Sequence, residues 1–413
     1  MRAIIINIKL LVNVRENCNV LRGQQLLDLP CIENAFLLVE DDRIAEYGHM
    51  YELELKVPSL PIHTIDASDQ CIFPCWCDSH THIVFGKSRE EEFIDKIKGK
   101  SYAEIAAKGG GILNSAKAIG NLSEDELYEL AMHRLHEIAK LGTGAVEIKS
   151  GYGLSVENEL KMLRVIKRLK ATSALIIKAT FLGAHSFPLE YRDNHEEFIR
   201  LITEEMLPVV AKEGLADFID VFCENGFFSV DEMERICKAG IKYGLIPKVH
   251  VNQLNSIGGL QSAVAMKARS VDHLEVMNVD DINCLAKSDT IGTLLPTAAF
   301  FLRMPLQPAR ALINAGCAIA LASDFNPGSS PSGNMNFVLS LSCIQMKMLP
   351  EEAINAATIN GAFAMDVEKD CGSVTIGKKA NLIFTKDIPS LSYLPYAFGS
   401  NLIDKVMLNG EFI

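Results

Sequence analysis

The middle of the chain alternates short apolar runs with longer stretches in which apolar residues recur at helical spacing. Each short run is rich in β-branched or aromatic residues and ends on a polar residue. Strands and helices that alternate in this way are typical of a parallel sheet built from βα units. Eight runs fit the strand pattern: CIFPCWCDSH, GAVEIKSGYG, LIIKATFLGAH, FIDVFCENG, IPKVHVN, SVDHLE, TIGTLLP and AIALASD.

Helical periodicity fills the intervals between these runs. Eight parallel strands with helices between them is the number that closes a barrel, and the chemistry of such barrels lies at the carboxyl ends of the strands. The polar residues that end the runs fall at those positions. The predicted helices cover residues 124–140, 155–170, 196–212, 230–243, 257–266, 280–286 and 308–315.

Both ends of the chain place β-forming residues between polar turns, as in ENAFLLVEDDRIAEYG and IDKVMLNGEFI. This pattern is typical of short antiparallel strands. We therefore predict an α/β protein with two domains. A (β/α)8 TIM-like barrel covers residues 73–370, and residues 1–72 and 371–413 together form a small β-sandwich domain.

Composition narrows the class of protein. Of the 413 residues, 48% are hydrophobic and 22% are charged, which is typical of a globular chain. The net charge is −12 and no basic stripe is present, so nucleic acid is not an expected partner. No run reaches the roughly 18 apolar residues of a membrane span. Asn7 and Lys9 interrupt the apolar start, which we interpret as a strand and not as a signal peptide.

The 11 cysteines are odd in number and irregularly spaced, which predicts reduced thiols in a cytoplasmic protein. Cys75 and Cys77 lie close to a histidine pair and could suggest a structural zinc site. No second cysteine pair follows at the required spacing, so both are predicted to belong to the strand core. A homodimer is expected only from the frequency of dimers among soluble proteins.

Histidines mark several of the predicted strand ends. His80 and His82 are two residues apart on a strand, so their side chains point the same way and can reach one metal. His250, His273 and Asp324 lie at the ends of the fifth, sixth and eighth predicted strands. A single histidine is more often a hydrogen-bonded core residue. Several histidines together with an aspartate at one barrel mouth form a set of nitrogen and oxygen donors that suits either zinc or iron.

We predict that the metal ligands are His80, His82, His250 and Asp324. A bound metal lowers the pKa of water, and Asp324 can accept the water's proton. His273 is predicted to polarise the substrate carbonyl or to guide a proton. Some barrel hydrolases hold a second metal with a modified lysine on the fourth strand. Lys149 lies on the second strand instead, so we predict one metal and a buried, paired lysine.

The connection after the first strand is long, from about residue 83 to residue 123, and contains Gly109, Gly110 and Gly111. Loops of this length in compact domains are usually functional. The connection could cover the site, and it could equally be a surface excursion.

Longer motifs give a specific resemblance. They are HTHIVFGKSREEEF from His80, GGGIL from Gly109, VEIKSGYGL from Val146, TFLGAH from Thr180, VDHLE from Val271 and SDFNPGSSP from Ser323. With these runs the chain resembles the imidazolonepropionase family of the amidohydrolase superfamily along nearly its whole length. The resemblance implies metal-dependent hydrolysis of the cyclic amide of 4-imidazolone-5-propanoate to N-formimidoyl-L-glutamate, a step of histidine degradation.

The resemblance also implies a set of substrate contacts. Arg89 can grip the propanoate carboxylate with two hydrogen bonds, although beside three glutamates it could also form a surface ion pair. At a position where the family commonly has an acid, this chain has Gln253, which can hydrogen-bond a ring nitrogen but cannot carry charge. The remaining implied contacts are Tyr152, His185, Asn326, Gly328 and Ser329.

Two other functions stay open at this level. A related amidohydrolase or deaminase would use the same barrel and metal, but a nucleobase substrate would not need the cation at Arg89. A metal-free relative that acts as a binding or assembly protein should have lost metal ligands, whereas all four predicted ligands are present here.

Overall fold

The structure is a computed structural model that describes residues 2–100 and 110–413. Strands from both ends of the chain form one hydrogen-bonded sheet of eight strands. The longest strand of this sheet, Arg2–Val12, pairs on both sides with strands from the first part of the chain. The strands are β1 Arg2–Val12, β2 Cys31–Glu40, β3 Arg43–His49, β4 His63–Asp66, β5 Cys71–Pro74, β14 Leu382–Thr385, β15 Ile403–Leu408 and β16 Glu411–Phe412.

The strand order is β16-β15-β14-β5-β1-β2-β3, with β4 pairing to β1 beside β5. Residues from both ends of the chain form one buried cluster in this sheet, among them Ile5, Leu37 and Leu382. The prediction of a separate β unit built from both termini is therefore confirmed.

Eight parallel strands form the second sheet, in simple sequence order. This confirms the predicted barrel. Their carboxyl ends lie on one face, as expected for parallel strands joined by helices. The strands are β6 Trp76–Thr81, β7 Thr143–Lys149, β8 Ile176–Ala184, β9 Phe218–Cys223, β10 Ile246–Val251, β11 Ser270–His273, β12 Ile291–Leu294 and β13 Ile319–Leu321.

The first predicted run, CIFPCWCDSH, needs a correction, because it contains two strands in two different sheets. β5 pairs with β14 in the terminal sheet, whereas β6 pairs with β7 in the barrel. The chain changes sheets at Cys75, whose backbone N–H donates to Asn381 O at 3.0 Å, while Trp76 N donates to Gly142 O at 2.9 Å. Periodicity alone did not separate two apolar strands joined by one residue.

The barrel closes between its first strand and the segment after its last. Asp324 N donates to His80 O at 3.0 Å, and His82 N donates to Phe325 O at 2.9 Å. Closure therefore joins the segment that carries Asp324 directly to the strand end that carries the two histidines.

Helices surround the barrel at the predicted places. The helix Glu124–Lys140 begins at Ser123, whose side chain accepts a hydrogen bond from Glu126 N and so caps the first turn. The helices between the later strands are Val156–Thr172, His195–Arg200, Leu207–Glu213, Val230–Lys242, Gly259–Ala265, Val279–Ala286, Pro296–Leu302 and Ala309–Asn314. Further helices are Leu53–Lys56, Glu90–Ile97, Ile112–Asn121, Met335–Ile344, Pro350–Ala357, Ile359–Ala364 and Tyr393–Tyr396.

The glycine-rich connection is described only in part, since Gly109 lies outside the described residues. Gly111 has a φ of 79° and immediately precedes the helix Ile112–Asn121. This left-handed conformation is one that glycine adopts without steric cost. Across residues 2–100 and 110–413, no helix has the length and apolar character needed to cross a membrane.

Candidate active site

Three histidines meet at the carboxyl end of the barrel. His80 and His82 come from the end of β6, and His250 comes from β10. Each offers a ring nitrogen, and these three atoms lie within 4.8 Å of one another. Asp324 Oδ1 lies 3.5 Å from His80 Nε2 and 3.6 Å from His82 Nε2. The structure thus brings together all four residues predicted as metal ligands.

The hydrogen bonds of these imidazoles fit a metal ion. His80 Nδ1 lies 2.7 Å from Asp272 Oδ2, and His250 Nδ1 lies 2.8 Å from Asp220 Oδ2. An ionised carboxylate only accepts, so each Nδ1 carries the proton and leaves the Nε2 lone pair free. His80 Nε2 is buried and has no hydrogen-bond partner in the described part of the chain. A metal ion would satisfy it.

Burial sets the charge state of the donors. Desolvation lowers the pKa of His80, His82 and His250 well below the ordinary histidine value, and nearby Lys149 lowers each further. Neutral imidazole is the form that binds a metal. Burial raises the pKa of Asp324 to about 6, although His273 and Ser329 partly oppose this shift.

Beneath the imidazoles lies a layer of five fully buried charged residues, which we call the charged floor: Glu147, Lys149, Asp220, Lys248 and Asp272. Lys149 Nζ lies 2.7 Å from Glu147 Oε1 and 2.9 Å from Asp220 Oδ2. It is also 3.5 Å from Asp272 Oδ2. Lys248 Nζ lies 2.9 Å from Glu147 Oε2. Lys149 therefore links the two carboxylates that orient His80 and His250.

The prediction that Lys149 is buried and paired is confirmed. Burial opposes its charge, but the three carboxylates around it outweigh that effect and raise its pKa. The other members of the charged floor were missed by sequence reasoning. A signal was available, because Glu147 and Lys149, and likewise Lys248 and His250, alternate with apolar residues along their strands. Period-two charges in buried strands point into the barrel.

His273 ends β11 beside this site in a strained conformation. Its φ is 91°, and the φ of Asp324 is 52°, both in the left-handed region. Such residues cost roughly 1–3 kcal/mol each and cluster at functional sites. His273 Nδ1 lies 3.2 Å from Glu275 Oε1. Burial opposes a charge on His273, but Glu275, Asp324 and Asp272 outweigh it and raise the pKa.

Above the imidazoles is a cavity of about 60 Å³, which shares six lining residues with a larger cavity of about 780 Å³. The shared residues are Tyr152, His185, Phe222, Gln253, Asn326 and Ser329. Arg89 and Gly328 line only the larger cavity. Every residue predicted to contact substrate therefore lies on one continuous wall that leads to the metal-ligand cluster.

Tyr152 and His185 are buried side by side, with ring centroids 5.5 Å apart. His185 Nδ1 lies 3.1 Å from Gly151 O. Because a carbonyl only accepts, Nδ1 carries the proton and Nε2 can only accept. Burial lowers the pKa of His185 to about 4 and raises that of Tyr152, so both side chains are neutral near pH 7.

The turn after Asp324 holds that carboxylate in place. Ser329 Oγ donates to Asp324 Oδ2 at 3.0 Å. Asn326 Oδ1 accepts from Gly328 N and from Ser329 N, both at 2.8 Å. Asn326 Nδ2 donates to Ser329 Oγ at 2.7 Å. The turn is thus held by hydrogen bonds among its own residues and by one to Asp324, a predicted metal ligand.

Arg89 forms a partly buried ion pair at the other end of the cavity. Its Nε and Nη2 donate to Glu92 Oε2 at 2.9 and 2.6 Å. A Cβ atom on Gly328 would lie 2.3 Å from Arg89 Nη1, so glycine is required for this close approach. Arg89 is therefore a cavity residue, with Nη1 directed at the turn, and not a solvated surface charge.

Gln253 occupies the cavity wall above His250. The loop that follows it is held by Glu224, a buried carboxylate that sequence reasoning missed. Glu224 Oε2 accepts from Leu254 N at 2.8 Å and from Asn255 N at 3.1 Å. Gln253 thus presents an amide at a fixed place beside the metal-ligand cluster.

All eleven cysteines are free thiols in the structure. Cys75 and Cys77 are buried in the core, as predicted. Neither belongs to the histidine cluster that could hold a metal.

Solved structures of similar fold include hydrolases, one of them in complex with zinc. A triazine hydrolase variant superimposes with a TM-score of 0.74 at 15% identity, covering 100% of this chain and 94% of that one. Atrazine chlorohydrolase from Arthrobacter aurescens, solved with zinc, has a TM-score of 0.69 at 12% identity, covering 99% and 94%. At these identities the likeness concerns the fold alone.

Sequence comparison is more specific. The amidohydrolase family profile matches residues 71–413. A protein named imidazolonepropionase from Flavobacterium johnsoniae is 56% identical over 415 residues, covering 100% of both chains. Another of that name from Christiangramia forsetii is 54% identical over 415 residues, again covering 100% of both. The chain belongs to the imidazolonepropionase family of amidohydrolases.

Proposed function

We propose that this protein hydrolyses the cyclic amide of 4-imidazolone-5-propanoate to N-formimidoyl-L-glutamate. One observation carries the proposal: two adjoining cavities, which share six lining residues, connect His82 and His250 of the histidine cluster to the cation of Arg89. The substrate has the matching chemistry, with an amide to be cleaved at one end and a carboxylate at the other.

We propose one metal ion, zinc or iron, held by His80, His82, His250 and Asp324. Three imidazoles and one carboxylate suit both metals. The metal would act as a Lewis acid and make water nucleophilic near neutral pH. The charged floor contributes by fixing the orientation of two of these imidazoles.

Two side chains carry protons in the proposed reaction. Asp324, whose pKa lies at about 6, accepts a proton from the attacking water and returns it to the ring nitrogen as the C–N bond breaks. His273, in the protonated form that Glu275 favours, donates a hydrogen bond from Nε2 to the carbonyl oxygen, where negative charge develops. The water supplies hydroxyl to the carbonyl carbon and hydrogen to the nitrogen.

The remaining residues bind and orient the substrate. Arg89 holds the propanoate carboxylate. Tyr152 donates its hydroxyl hydrogen, whereas His185 offers Nε2 as an acceptor. Gln253 hydrogen-bonds a ring nitrogen through its amide, in place of the acid common in the family. Another part of the cavity wall is formed by Asn326, Gly328 and Ser329.

We further propose that the enzyme acts in the cytoplasm, where reduced thiols persist, and that it is a homodimer. We propose domain limits of residues 1–74 with 371–413 for the terminal β unit and 75–370 for the barrel, which moves the predicted first limit from residue 72 to residue 74 because β5 pairs in the terminal sheet as far as Pro74. The separate buried cluster of the terminal sheet supports this division.

The test is product formation by the purified, metal-loaded enzyme, followed by nuclear magnetic resonance of freshly prepared substrate. The expected product is N-formimidoyl-L-glutamate, formed faster than spontaneous ring opening. Guanine and a neutral cyclic ureide are the comparison substrates. Turnover of either, with no acceleration of imidazolonepropanoate hydrolysis, would overturn the proposal in favour of a different amidohydrolase. No metal and no turnover would favour a binding protein.

A further inference from the structure

Two further cations, Lys96 and Arg303, line the 780 Å³ cavity together with Arg89, but Arg303 is exposed whereas Lys96 is half-buried. Lys96 lies seven residues after Arg89, in the helix Glu90–Ile97. Seven residues are about two helical turns, so the two positions fall on the same face. Lys96 was not singled out by any motif in the sequence.

Arg89 and Lys96 differ in how their charge is balanced. Arg89 is paired with Glu92, whose Oε1 also accepts from Gly111 N at 3.1 Å and Asn114 Nδ2 at 3.2 Å. Because Glu92 neutralises Arg89, this pair adds hydrogen-bond donors to the cavity but little net charge.

Lys96 has no acidic partner within 4 Å among residues 2–100 and 110–413. Its Nζ donates to Gly328 O at 3.3 Å and lies 5.7 Å from the centroid of the Phe301 ring. The side chain is half-buried, and burial, together with Arg89, lowers its pKa. A half-buried cation without a counter-ion carries a desolvation cost that an anionic ligand would remove.

Gly328 lies between the two cations. Arg89 Nη1 lies 2.3 Å from the place that a Cβ atom of Gly328 would occupy, and the carbonyl of Gly328 accepts from Lys96. The turn that contains Gly328 also contains Ser329, which holds Asp324. A ligand carboxylate in front of this turn is therefore near both cations, at a defined distance from the metal-ligand cluster.

We propose that Lys96 supplies the net positive charge that selects anionic substrates, whereas the Arg89–Glu92 pair supplies directional hydrogen bonds. Lys96 is thus a specificity-determining residue for a small carboxylate-bearing cyclic amide. This inference rests on the proposed function for the identity of the substrate, but not for the preference for an anion.

The test measures binding of two stable probes that differ only in the end group of the side chain, which is a carboxylate in one and a neutral amide in the other. Metal-loaded enzyme is titrated calorimetrically with imidazole-4-propanoate and with imidazole-4-propanamide, which share the same ring. The variants are Lys96→Met, Lys96→Arg and Lys98→Met. Lys98 is the matched control, because it is an exposed lysine at the end of the same helix and does not line the cavity.

Lys96→Met is expected to weaken propanoate binding by about 10- to 100-fold and to reduce its salt dependence, because a hydrogen-bonded charge pair is lost. Binding of the propanamide should stay unchanged. Lys96→Arg should restore most of the propanoate affinity, and Lys98→Met should behave like the unaltered enzyme. Unchanged propanoate affinity in Lys96→Met would overturn the proposal, as would equal affinity of the unaltered enzyme for the two probes.

Kinetics separate this inference from the proposed function. If the enzyme hydrolyses imidazolonepropanoate and Lys96→Met leaves KM unchanged, the role of Lys96 is wrong and the function stands. If the enzyme does not hydrolyse that compound but Lys96→Met still removes the preference for the propanoate probe, the function is wrong and the anion selectivity stands.

Discussion

The charged floor and the carboxylate end of the cavity use charge in opposite ways. In the charged floor every residue is fully buried, and each lysine contacts carboxylates of the same layer. At the carboxylate end Arg89 is paired, but Lys96 has no acidic partner in the described ranges 2–100 and 110–413. The charges of the floor are paired with one another, and their role is to fix the orientation of two imidazoles. An unbalanced charge at a cavity wall is available to a ligand.

The largest effect is expected at Asp324, which the Ser329 turn holds beside the histidines. Asp324→Asn should lower kcat by about 10³-fold, because an amide cannot accept the proton of the attacking water. The measurement is steady-state turnover of imidazolonepropanoate at matched metal content. Ser329→Ala is the control, with a much smaller loss expected. Retained turnover in Asp324→Asn would remove Asp324 from the proton pathway.

A pair of identical substitutions sharpens the comparison of the two regions. Lys149→Met should lower the free energy of unfolding by about 3–5 kcal/mol, because it leaves buried carboxylates without their cation. Lys96→Met should change it by less than about 1 kcal/mol, since no ion pair is broken. Denaturant unfolding of the metal-free proteins measures both. Equal costs at the two positions would contradict the distinction between structural and ligand-directed charge.

Stability should also depend on pH through His185. Its folded pKa of about 4 lies below the ordinary histidine value of 6.5, because of burial. Between these values the unfolded chain binds more protons, so stability rises with pH and is fully gained above 6.5. The contribution is roughly 3 kcal/mol.

His185→Gln should therefore flatten the dependence of unfolding free energy on pH between 4 and 6.5, measured by denaturant titration on chelator-treated protein. His133→Gln, at an exposed helix position, is the control and should leave the slope unchanged. A slope that is equally steep in His185→Gln would show that His185 titrates normally in the folded protein.

Arg89→Ala should raise KM by about 10-fold or more and change kcat little, because the interaction forms with a part of the substrate that does not react. The measurement is initial-rate kinetics across a range of imidazolonepropanoate concentrations. Unchanged KM and kcat would refute the carboxylate clamp.

The architecture was accessible from sequence because eight apolar runs alternate with helical periodicity. The cluster that could hold a metal was accessible because His80 and His82 were predicted to share one strand face. The partners of these histidines were not accessible, since Asp272 lies 192 residues from His80 and only barrel closure brings them together. The change of sheets at Cys75 was missed because both strands are apolar. Lys96 was missed because what marks it, the lack of an acidic partner within 4 Å among residues 2–100 and 110–413, is visible only in three dimensions.

The most direct test of the central claim is a metal titration of chelator-treated enzyme, with turnover of imidazolonepropanoate and bound metal measured on the same samples. We expect zinc or iron(II) to restore turnover in proportion to bound metal, with a plateau at one ion per chain. Full turnover without metal, or a plateau only at two ions per chain, would contradict a single site built from His80, His82, His250 and Asp324.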